Sequence, residues 1–224
     1  MIYWVYAMKQ VVLAPAADRR TRKRLATRQA ISDTATRLFM DRGFDRVTID
    51  EIAGAADVGR MTVFNHFPRK EDMFFDREGE AREVASEAVR SRPRGTSPID
   101  ALGLLAHHMV AQKHPTLPLF AETRTFVETA LASEALKARA RQMRDDFVHA
   151  LAAMLAEEVG RPHDDADAYL GATLIASTWS IAFARAHALL RETGDAAAAK
   201  RIFLTLIDRG TTGTRAALSG TLYT

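Results

Sequence analysis

The chain has 224 residues, 47% of them hydrophobic and 26% charged, with a formal net charge of +3 and no cysteine. That length allows one large or two small globular domains with a substantial core, and the lack of cysteine excludes disulfides and thiolate-held metals and fits a cytoplasmic protein. The charge is uneven, because residues 1–74 hold 13 Lys or Arg against 9 Asp or Glu.

Residues 1–17 open with MIYWVYAM and end with VVLAPAA. No charged segment precedes the apolar run, so the stretch reads as a disordered leader with Met8 as a second candidate start. Arg19-Arg20-Thr21-Arg22-Lys23-Arg24 then places five cations in six positions. Residues 1–24 are read together as a flexible leader and basic arm, either simply solvated or in contact with phosphates or anionic lipid.

From there apolar residues recur every three or four positions, which predicts helices throughout and an all-α fold of about nine. Ile31, Ala35, Leu38 and Phe39 define a helix near 27–42, closed by Gly43. Thr48 and Glu51 form a capping-box signature for a short helix near 48–55. Another short helix covers about 60–66, stopped by Pro68. A fourth is expected from Lys70 to Val89, ahead of the breaker Ser91–Pro98. Helices near 99–113, 118–131, 134–159, 165–191 and 195–218 complete the chain. The expected division is a DNA-binding-sized domain at 25–70 and a helical domain at 71–224.

Between Ala168 and Leu190 the single formal charge is Arg185. The segment is rich in Ala, Ser and Thr, and Arg185 and His187 are costly in lipid, so it reads as a buried soluble helix rather than a membrane span. The last helix carries Ala199, Ile202, Leu206, Gly210, Gly213 and Ala217 on one stripe. Small residues permit close helix approach, so these two helices read as a homodimer interface, with a larger monomeric core as the other reading.

The segments at 48–55 and 60–66, joined by Ala56-Asp57-Val58-Gly59, have the form of a helix-turn-helix. Ile52, Ala53, Val58 and Val63 supply its core. Arg60, Met61, Thr62, Asn65 and His66 face outward, a set suited to base edges in a major groove. Lys70 opens the next helix, where free N–H groups and a cation can both meet phosphate.

The run from Thr27 to about Phe75 resembles the DNA-binding domain of TetR-family transcriptional regulators. The residues that carry the likeness are Ala35, Leu38, Phe39, Gly43, Phe44, Thr48, Ile52, Ala53, Ala56, Val58, Thr62, Phe64, His66, Phe67, Lys70 and Glu71. The resemblance implies a homodimer on a partly palindromic operator, usually repressing, and released by a small-molecule effector. By position, Thr48 would contact phosphate; Arg60, Met61, Thr62 and Asn65 would face bases; Phe64, His66 and Lys70 would meet the backbone. Two positions depart from the pattern. Gly59 stands where serine often caps the recognition helix, and Phe64 where tyrosine is common, so two hydroxyls are missing from the phosphate grip. The implied effector pocket lies in the C-terminal half, with His107, Met109, Phe126, Met143, Phe147, Trp179 and Phe183 as candidate lining and His108 and His187 as further polar anchors.

His107 and His108 are adjacent and do not face each other on a helix. His163-Asp164-Asp165 with Asp167 sits at a helix start, where Asp164 reads as an N-cap. No nucleophile elbow, phosphate loop or carboxylate pair is present. Neither enzymatic activity, nor a cofactor, nor a metal is expected. The rival from another class is a helical module that binds a partner protein or a membrane and never meets DNA.

Overall fold

A computed structural model describes residues 18–76, 78–112 and 124–224. The leader at 1–17, and the first residues of the helix expected at 118–131, lie outside them. Among the described residues there are ten helices and no strand: α1 (Arg19–Arg42), α2 (Ile49–Ala55), α3 (Arg60–His66), α4 (Lys70–Phe74), α5 (Glu78–Arg90), α6 (Pro98–Ala111), α7 (Arg124–Ala132), α8 (Glu134–Glu158), α9 (Ala166–Thr193) and α10 (Ala196–Ala217).

Three local expectations differ from what is found. The first helix begins at Arg19, eight residues early, because the Asp18 carboxylate accepts the Thr21 N–H at 2.7 Å and caps it. The basic run is therefore helical. The helix expected over 70–89 is two, α4 and α5. Phe75, at φ −107° and ψ 42°, leaves helical geometry and lets Phe74 and Phe75 both be buried. The cap of α9 is Asp165, which accepts the Ala168 N–H at 3.0 Å, rather than Asp164.

The chain forms two compact units. One takes in Gln10–Asp76 and Thr125–Arg139, so it holds the helix-turn-helix and also α7. Its core is aromatic: Phe39, Phe44, Phe74, Phe75 and Phe126 are all buried, with Phe74 stacked on Phe126 at 4.1 Å between centroids. Arg139 closes on Asp72 at 3.0 Å, and the Ser133 hydroxyl donates to Asp45 at 2.8 Å.

The other unit comprises Arg77–Arg124 and Ala140–Thr224 where described. Here α9 and α10 pack along their length. On α10 the buried face is Ala199, Phe203, Ile207 and Thr214, and Gly210 lies against Thr178 of α9. The expected small-residue stripe is thus used in part inside the chain, while Gly213 has nothing within 4 Å of a notional Cβ. The C-terminus is pinned where Tyr223 donates to Asp165 at 3.0 Å. Burial, then the Asp165 carboxylate, push the Tyr223 phenol up to about 12.

Candidate nucleic-acid interface

The interface is built on a reciprocal cap. Thr48 Oγ1 accepts the Glu51 N–H at 3.2 Å while the Glu51 carboxylate accepts the Thr48 N–H at 2.8 Å. The Thr48 hydroxyl also donates to Glu51 at 2.8 Å, and Arg42 pairs with the same carboxylate at 2.7 Å. These bonds, the Thr48 backbone first, hold Glu51 well below the usual carboxylate range, at about 2. A depressed pKa contributes stability that is full above the unfolded value near 4.5 and is lost as pH falls through about 2. The melting-point gap between wild type and Glu51→Gln should accordingly shrink as pH drops from 4.5 towards 2. A gap independent of pH would show that the cap's charge does not stabilise α2.

The turn that aims α3 is made by Asp57, whose φ is 53°. Aspartate tolerates this left-handed conformation because its short side chain can bond locally. The Val58 N–H then returns to the Ala53 carbonyl at 3.0 Å. Val58 is only half-buried, so Ile52, Ala53, Val63 and Phe67 carry the local core.

On that base, α3 presents Arg60, Met61 and Asn65 to solvent, with Met61 69% exposed. A thioether on open surface is costly unless something covers it. Thr62, Phe64 and His66 are half-buried at its edges. The α3 N-cap is Gly59, with no side-chain hydrogen bond.

Several contacts carry no local signal in the sequence. Arg60 donates to both carboxylate oxygens of Asp50, at 2.8 and 2.7 Å, and lies 5.5 Å above the Phe64 ring. Arg28 donates to the His66 carbonyl, and its guanidinium sits 4.0 Å above Phe67. Burial, then the charges of Arg28 and Arg24, lower the His66 pKa, so its imidazole is neutral at neutral pH. Lys70 turns inward: its ammonium donates to the Phe44 carbonyl at 2.5 Å and lies 4.3 Å from the Phe44 ring. Burial lowers its pKa.

The residues expected around an effector are placed as follows. Met109, Phe147, Trp179 and Phe183 share one buried core, with Trp179 and Phe183 6.0 Å apart. Met143 is buried on α8. Phe126 belongs to the other unit, against Phe74. His107 lies on the surface, 2.5 Å from Asp208, while His187 is buried on α9 and His108 is exposed. Among the described residues no group of three or more His, Asp or Glu could hold a metal, and no helix is long and apolar enough to cross a membrane.

Residues 31–76 match the family described as bacterial regulatory proteins, tetR family. The chain is 32% identical over 83 residues to the HTH-type transcriptional regulator TcmR of Streptomyces glaucescens, a match covering 37% of each chain. It is 36% identical over 104 residues to the HTH-type transcriptional repressor BepR of Brucella suis biovar 1, covering 46% of this chain and 47% of that relative. The matched segments thus span less than half of these curated relatives. The fold resembles that of NalD, the secondary repressor of the MexAB-OprM multidrug efflux pump in Pseudomonas aeruginosa. That likeness has a TM-score of 0.53 at 22% identity, over 83% of this chain and 97% of that one.

Proposed function

We propose, from the premise that this chain belongs to the tetR family of bacterial regulatory proteins, that it is a ligand-responsive transcriptional repressor. It binds a partly palindromic operator as a homodimer, each copy placing α3 in a major groove, and a small molecule releases it. The observation that carries this reading is the exposed face of α3, where Arg60, Met61 and Asn65 stand clear of the core on a rigidly capped helix-turn-helix. Arginine reads guanine, asparagine reads adenine, and methionine or threonine meets a thymine methyl.

Dimerisation is assigned to α9 and α10. Ile181 and Leu170 on α9 are 57% and 42% exposed on a helix whose middle holds one formal charge, and a second copy would cover them. The effector site is assigned to the second unit's core, with Met109, Met143, Phe147, Trp179 and Phe183 as lining. Thr48, Phe64, His66 and Lys70 are assigned to the backbone. For Lys70 that requires its side chain to leave Phe44.

Selection of genomic fragments by the purified protein tests the reading. Enrichment of related, partly palindromic, salt-sensitive sites is expected, and binding without sequence preference would overturn it. On the selected duplex, Asn65→Ala should cost about 1–3 kcal/mol of discrimination at one base pair per half-site. A uniform loss on every sequence would make Asn65 a backbone contact instead.

A further inference from the structure

The cations between residues 42 and 70 are engaged within the chain. Arg42 pairs with Glu51, Arg46 donates to the Arg42 carbonyl at 2.6 Å, Arg60 grips Asp50 and Lys70 turns to Phe44. Arg69 is engaged as well. If α3 meets DNA, little free positive charge beside it is left to neutralise phosphate.

The start of α1 is different. Arg19, Arg20, Arg22, Lys23 and Arg24 are all exposed, and none forms a salt bridge with another described residue. The one acid before Asp33 is the cap, Asp18. Five cations at the positive end of a helix dipole also repel it, and the first turn holds no acid to offset them. An arrangement that weakens its own helix is a sign of an external anion.

Helical register gives the run a direction. Arg20, Arg24 and Arg28 recur every four residues, about 6 Å apart along the axis, and so form one ridge. Its inner end is anchored, because Arg28 donates to the carbonyl of His66, the last residue of α3, and covers Phe67. Arg24 is close enough to act electrostatically on His66 too. The ridge therefore begins at the C-terminal end of the recognition helix and runs away from it. It precedes the segment 31–76 that matches the family.

We infer that Arg20 and Arg24, with Lys23 beside them, form a second DNA contact, a ridge that grips duplex phosphates flanking the base pairs read by α3. The inference rests on the DNA-binding reading and deepens it. The ridge contributes affinity and salt dependence but no base discrimination.

The test uses the full chain and three probes: a duplex selected by the wild type from a randomised library, a scrambled duplex of equal length, and vesicles of phosphatidylglycerol with phosphatidylcholine. For Arg20→Gln/Arg24→Gln, the slope of log affinity against log salt should flatten by about 1.8, roughly 0.9 for each phosphate released. Both duplexes should weaken together, leaving their affinity ratio within about twofold of wild type. Arg20→Lys/Arg24→Lys should restore the slope, and Arg209→Gln, an exposed cation on α10, should not change it. Glutamine is a good helix former and both sites are exposed, so circular dichroism should match wild type. An unchanged slope overturns the inference, as does a loss confined to the selected duplex. So does a double variant that loses vesicle binding but keeps DNA binding, which would assign the ridge to a membrane surface. A wild type that selects no duplex overturns the DNA-binding reading itself, and this inference with it.

Discussion

Replacing Phe74 by alanine is expected to cost about 3–5 kcal/mol and to abolish DNA binding along with the fold of the helix-turn-helix unit. Phe74 is 3% exposed and is the hub of the aromatic core. Its ring lies 6.1 Å from Phe39, 6.2 Å from Phe44, 5.0 Å from Phe75 and 4.1 Å from Phe126. Truncation removes the apolar area, leaves a cavity among four rings that cannot all collapse inward, and forfeits edge and stacking contacts worth about 0.5–1.5 kcal/mol each. Against a total stability of roughly 5–15 kcal/mol, that is a large share. Denaturant unfolding would measure it as a shift in midpoint. Phe64→Ala, at a half-buried surface ring, is the comparison and should cost roughly 1 kcal/mol or less. Equal losses at the two positions would mean that the aromatic core is not what holds α3 in place.

The second large effect is expected at Gly210. A Cβ there would lie 2.8 Å from the Thr178 Cβ, and closer still to its Oγ1 and Cγ2. Alanine gains about 1 kcal/mol of helix propensity over glycine, but overpacking costs about 1–3 kcal/mol, and valine adds two further methyl groups to the collision. Gly210→Val should therefore destabilise the second unit by about 3 kcal/mol, and Gly210→Ala by less. Thr178→Ala removes Oγ1 and Cγ2 and should recover part of the loss, leaving an interaction term of roughly 0.5–3 kcal/mol in a double-mutant cycle. Strict additivity would show that the two helices do not meet there. The cycle also bears on dimerisation. A Gly210 that serves the contact between copies would change oligomeric state without lowering the stability of the chain's own core.

Much of the architecture was legible before any coordinates. The Thr48–Glu51 cap, the stop at Pro68, the glycine after Arg42 and the long apolar registers of α8 to α10 are local patterns, each decided within about four residues. The exposed set on α3 follows from the same periodicity. The expected helix at 70–89 failed because two adjacent phenylalanines were both drawn into a core, and local propensity does not see that. The early start of α1 was missed because a run of like charges reads as an arm, although Asp18 supplied an adequate cap. Phe126 looked like a pocket residue because it is aromatic on a helix face; its ring is buried against Phe74, 52 positions away in the chain.

The sequence by itself determined the helical class, the helix-turn-helix, its likeness to the tetR family and the side chains α3 presents, because all of these depend on spacing within one or two turns. The tertiary structure alone decided which charges remain available. Asp50 lies ten residues from Arg60, Phe44 twenty-six from Lys70, and His66 thirty-eight from Arg28. An ion's use is set by its nearest partner in space, and chain separation does not encode that partner. Only once Arg60, Lys70 and Arg28 are seen engaged does the exposed ridge at the start of α1 stand out as free positive charge.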